Sequence, residues 1–133
     1  MRARRLTLAA ACAALTLGSG VAAADTMNPE LGARLAGMGE RGIVNLQSHA
    51  TKGRLCWTFE VHTAGITGAS IRDAHGMVVA RLGAHYAPKG CATVAKGTLR
   101  LIEAKPGAYR VWVGTTGHAG ELRGKLFAGM AHM

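Results

Sequence analysis

Hydrophobic and polar residues alternate most cleanly over Arg54–His62, R-L-C-W-T-F-E-V-H. Leu55, Trp57, Phe59 and Val61 fall on one side, and Cys56, Thr58, Glu60 and His62 on the other. That two-residue period is the signature of a pleated strand with one buried face. Tyr109, Val111 and Val113 repeat it against Arg110 and Trp112, and Leu122, Gly124 and Leu126 repeat it against Glu121, Arg123 and Lys125. The three glycines of Gly114–Gly120 break the period between these two runs, so the reading there is a hairpin. Further strands are predicted over Gly42–Gln47, Ala69–Asp73 and Met77–Leu82, with a loop over Gly83–Gly90. Thr98–Ala104 departs from the pattern: Leu99 and Ile102 lie three apart, Arg100 and Glu103 face away, and Pro106-Gly107 ends the segment, as in a short helix.

None of these ribbons buries its apolar face alone, so they must stack. Short, evenly spaced strands, many glycines and a single helical excursion predict an all-β fold, an antiparallel β-sandwich. The sandwich is expected over residues 42–128, with a C-terminal tail over 129–133. Residues 25–41 read as an arm or linker: Leu31, Leu35 and Met38 share a helical spacing, but Gly32, Gly37 and Gly39 weaken it. Residues 1–24 carry a signal-peptide pattern. Arg2, Arg4 and Arg5 precede an apolar run from Leu6 to Leu17, and Ala22-Ala23-Ala24 offers small residues before a start at Asp25. The run is too short to anchor the chain across a bilayer. The expected location is therefore secreted, or the periplasm or cell envelope, with no transmembrane segment in the mature chain.

Export changes the meaning of the cysteines. Beyond the leader only Cys56 and Cys91 remain, and an oxidising compartment favours a disulfide between them over two buried thiols. Cys56 lies on the strand face away from the aromatic stripe, so the bridge is expected to tie down a neighbouring edge or loop and not to cross the core. Lys and Arg outnumber Asp and Glu by 16 to 7, but the cations are spread along the sequence without interleaved aromatics, which argues against specific nucleic-acid recognition. Anionic cell-envelope polymers or an unidentified protein remain as partners.

The six histidines form no H-x-H or H-x-x-x-H pair, and no C-x-x-C is present, so a closed zinc site has no local signature. Met130, His132 and Met133 are a soft-ligand group suited to Cu(I), with Met27 and Met38 as additions; the alternative is a frayed tail. Ser48 and Ser70 lack a nucleophile-elbow context, and Glu60, Glu103 and Glu121 form no local acid pair, so no catalytic residue is assigned and no enzyme activity or cofactor is expected. Glu121 and Arg123, two apart on one strand face, read as a structural ion pair.

The chain also resembles a known family. G-R-L-C-W-T-F-E-V at Gly53–Val61, M-V-V-A-R-L at Met77–Leu82, Gly90-Cys91, K-P-G-A-Y-R-V-W-V at Lys105–Val113 and G-E-L-R-G-K-L at Gly120–Leu126 look, in order and spacing, like the CHRD domain named after chordin. The resemblance implies an immunoglobulin-like sandwich, with no enzymatic activity established for the family and, in animals, modules alongside it that bind growth factors. Members of the family usually carry A-H-I-H in the third strand and another histidine in the later Y-V-N-V-H-T strand. This chain has Ser70, Arg72 and Gly114 at those positions, so any site built on the three imidazoles is expected to be lost.

These readings converge on a non-catalytic binding or structural module outside the cytoplasm, with Arg72, Arg110 and Trp112 as the contact surface. The competing class is a small copper or zinc handler using Met and His. Trp112, opposite Tyr109, Val111 and Val113, is either covered by the helical excursion or an exposed anchor.

Overall fold

The computed structural model describes residues 29–133. The expected leader, its cleavage point after Ala24 and Met27 lie outside these residues. Eight strands follow in order: β1 (Glu30–Gly37), β2 (Glu40–His49), β3 (Arg54–Val61), β4 (Ile66–Asp73), β5 (Val78–Arg81), β6 (Lys89–Thr93), β7 (Tyr109–Thr115) and β8 (His118–Ala128). One helix, α1 (Lys96–Ala104), stands between β6 and β7, and 3-10 turns cover Ala50–Lys52 and Pro106–Ala108. The expected all-β antiparallel fold with a short helical excursion is what the chain forms. Among the described residues no helix is long and apolar enough to cross a membrane.

All eight strands belong to one sheet, in the order β5-β4-β7-β8-β1-β2-β3-β6, curled until it nearly closes on itself. A continuous curled sheet thus stands where two separate layers were expected. The reason is β1, which occupies the segment read as an arm. It pairs with β2 along its whole length and with β8 on its other side, so it joins the two halves of the sheet. Leu31, Ala33 and Leu35 of β1 are buried in strand alternation, and the helical spacing through Met38 is not used, since Met38 lies exposed in the turn to β2.

The inward faces are those the periodicity identified. Leu55, Trp57 and Phe59 of β3, Val111 and Val113 of β7, and Leu122 and Leu126 of β8 join Leu31, Val44, Leu46 and Ile71 in one core. Each such side chain, fully buried, contributes about 1.5–3 kcal/mol. Leu99 and Ile102 of α1 pack onto the same core, and the Ser48 hydroxyl of β2 donates a hydrogen bond to the Glu103 carboxylate of the helix.

The seam of the sheet lies between its end strands, β5 and β6, and residues 82–88 cross it. That segment is pinned at several points. The Trp57 indole N–H donates to the Ala87 carbonyl at 3.0 Å, and the Phe59 amide to the Pro88 carbonyl at 2.7 Å. The Leu82 amide donates to Ala69, and the Tyr86 ring meets Phe59 edge-on at 5.5 Å, where burial raises its phenol pKa. β6 itself falls partly in the expected loop. It needs Gly90, because a Cβ there would sit 2.7 Å from the Trp57 ring.

Cys56 and Cys91 face each other in the β3–β6 register and form the disulfide, with Cα atoms 4.0 Å apart. The bridge lies on the face away from Trp57 and clamps an end strand, in the position its strand parity indicated.

Candidate functional site

Strand register decides which outward side chains become neighbours. Arg72 of β4 is opposite Arg110 of β7, which is opposite Lys125 of β8. Val78 of β5 ends this row beyond Arg72. Two residues along the strands lies a second row: Arg81 of β5, Ser70 of β4, Trp112 of β7 and Arg123 of β8. Five cations therefore share one outer face with a tryptophan, although they come from four strands and are far apart in sequence. Directly opposed residues have Cβ atoms about 5 Å apart, and like charges so placed repel.

The face is ordered. The Arg72 guanidinium donates to the Ser70 hydroxyl and to the Gly76 carbonyl, each at 3.3 Å. It also lies over the Trp112 ring at 4.3 Å, while Arg123 from the other neighbouring strand lies over the ring at 4.8 Å. The half-buried indole is thus held between two guanidinium groups, an arrangement favoured by the ring quadrupole. Its Nε1–H is buried without a hydrogen-bond partner. Trp112 is flanked by arginines, not covered by α1, whose buried residues pack on the core side.

Beside this face is a groove of about 520 Å³. Ser70, Arg72 and Trp112 line it with Arg81, Gly68 and Gly114, and His118 stands in its wall. Ser70, Arg72 and Gly114, the three positions where the family resemblance expects histidines, thus meet in one recess, and a fixed positive charge occupies it. Four glycines among the lining residues leave backbone exposed to the recess.

Of the residues singled out by sequence, Arg72, Arg110 and Trp112 do come together. Register adds Arg81, Arg123 and Lys125, which their scatter along the chain had concealed. Glu121 and Arg123 do not form the expected pair: the Glu121 carboxylate accepts the Thr115 hydroxyl, and Arg123 is drawn to Trp112. The tail is tied down at Ala131. The Asn45 side chain accepts from the Ala131 amide at 2.6 Å and donates to its carbonyl at 3.2 Å, imitating a strand neighbour and burying Ala131. Met130 and Met133 remain exposed on either side of it. Among the described residues no three His, Cys, Asp or Glu side chains converge on a common point.

The class defined by fold and site is a disulfide-clamped, antiparallel all-β domain with a basic, tryptophan-centred outer face. Comparison with protein-family models, curated proteins and solved structures finds no match.

Proposed function

We propose that this protein is a non-catalytic binding module working outside the cytoplasm, and that the outer face of β4, β7 and β8 is its contact surface for an anionic partner. The observation that carries the reading is the Arg72–Arg110–Lys125 row, three cations set directly opposite one another across paired strands. Such a row costs folding energy, and an anionic partner is what offsets the cost. The leader pattern at residues 1–24 and the Cys56–Cys91 bridge support an oxidising, exported setting. The likeness to chordin-type domains supports a binding role over catalysis.

The test is titration of the exported protein with polygalacturonate, a linear polycarboxylate, against neutral dextran. Wild type is expected to bind the polyanion with an affinity that falls with salt, and Arg110→Glu/Lys125→Glu to bind roughly tenfold more weakly, since a tenfold change is only about 1.4 kcal/mol. Equal binding of polyanion and dextran, or a double variant indistinguishable from wild type, refutes the assignment.

A further inference from the structure

We infer that the groove beside Trp112 is the seat of a single extended polyanion chain, bearing carboxylate or phosphate groups, that enters between the β5 side and the β7–β8 turn. The inference rests on the proposed basic contact face and narrows it to one recess and one ligand shape. About 520 Å³ of space falls within the range of small-ligand sites, about 300–1,000 Å³, and is far too small for a protein domain. Arg81 and Arg72 line it together with the Ser70 hydroxyl.

Arginine presents two parallel N–H donors that match the two oxygens of a carboxylate or phosphate. Arg72 is held by Ser70 and Gly76, so it meets a ligand with little ordering cost. Arg81 is exposed on an end strand and free to close over a bound chain. The Trp112 Nε1–H, buried and without a partner, is a further donor on a residue that lines the groove. The two cation rows are two residues apart along the strands, about 7 Å, so a chain leaving the groove places its next charge over Arg110 and Lys125.

A recess selects a thin chain over a flat bilayer. The largely exposed apolar side chains Met38, Met77, Leu101, Met130 and Met133, which a membrane-seeking surface would gather at the site, are not among its lining residues.

Gly68 supplies the discriminating variant. Gly68 lines the groove and a Cβ there meets nothing within 4 Å, so Gly68→Leu adds bulk to the recess while removing no charge. Arg81→Gln is the second variant and carries the test should Gly68→Leu fail to fold. Each is titrated with polygalacturonate, with long-chain inorganic polyphosphate and with vesicles containing anionic lipid, beside wild type and Arg110→Glu/Lys125→Glu. The expected result is a loss of about tenfold in affinity for at least one polymer in both groove variants. The preferred polymer tells carboxylate from phosphate. Wild-type affinity in Gly68→Leu and Arg81→Gln, with a loss in the Arg110/Lys125 variant, overturns the groove and leaves the basic face standing. Binding to vesicles with no binding to either polymer overturns the chain-shaped ligand. No salt-dependent binding to any of the three overturns both proposals.

Discussion

Arg110→Gln is expected to stabilise the folded protein at low salt while weakening its hold on polyanions. Arg110 is the middle member of the row, opposite Arg72 on one side and Lys125 on the other. For charged ends taken as about 7 Å apart in a water-like dielectric, the reach of neighbouring side chains across paired strands, each neighbour costs about 0.6 kcal/mol before screening. Two neighbours give about 1.2 kcal/mol. A Debye length of about 30 Å at 10 mM salt leaves most of that, about 1 kcal/mol, whereas about 3 Å at 1 M leaves almost none. Lost packing of the half-buried arginine stem offsets a few tenths of a kcal/mol. Urea unfolding followed by circular dichroism, at 10 mM and 1 M NaCl, reads both values. The variant is expected to gain roughly 0.5–1 kcal/mol at low salt and nothing at high salt. Lys89→Gln, an exposed cation at the start of β6, serves as control and should show no salt-dependent gain. A destabilised Arg110→Gln at low salt, or a gain that persists in 1 M salt, would show that the row is not strained by its own charge.

Two further outcomes test the frame that holds this face. Replacing both cysteines by alanine removes a link across 35 residues, for which loop entropy sets a ceiling of about 3.8 kcal/mol; a loss of about 2–3 kcal/mol in chemical unfolding is expected, and a loss below about 0.5 would mean that β6 stays paired without its clamp. Gly124→Ala drives a Cβ into the Arg34 carbonyl oxygen, a backbone atom that cannot step aside, so β8 must part from β1. Its cost is expected at about 3 kcal/mol or more, at the upper end of overpacking effects, and unfolding within about 1 kcal/mol of wild type would contradict the close approach of the two strands.

Much of the fold is legible in the chain because local periodicity carries it. β3, β7 and β8 each alternate long apolar side chains with polar ones, and α1 is marked by Leu99 and Ile102 before Pro106. β1 hides for the opposite reason. Its middle inward position is Ala33, too small to mark the period, and Gly32 and Gly37 read as flexibility when they in fact permit close neighbours. Losing β1 to a linker also removes the strand between β8 and β2, and a single curled sheet then looks like two. β6 hides because its inward residue Gly90 is chosen by the Trp57 ring, a partner more than thirty positions away, and not by strand propensity.

The candidate site was half visible for a related reason. Arg72, Arg110 and Trp112 could be placed on outward faces by counting parity, but counting does not give register. That Lys125 faces Arg110, or that Arg123 reaches Trp112 and not Glu121, depends on how β7 pairs with β8 across an irregularity near Val113 and Thr115.

Register also explains why a repelling array can persist in so small a domain. β4, β7 and β8 each have hydrogen-bonded strands on both sides, and their inward residues Ile71, Val111, Val113, Leu122 and Leu126 are fully buried. The cations are therefore anchored by a backbone that cannot relax apart without exposing the core. The covalent clamp sits elsewhere, between β3 and β6, where it adds stability without restraining the basic face. On the proposed function, an anionic chain reaching this surface would meet charges already spaced by paired strands, two of them stacked on Trp112, and would relieve their repulsion as it binds. The energy spent in holding the array during folding would then return as affinity, and a ligand that binds only the folded state stabilises it by an amount that grows with the logarithm of its free concentration relative to Kd.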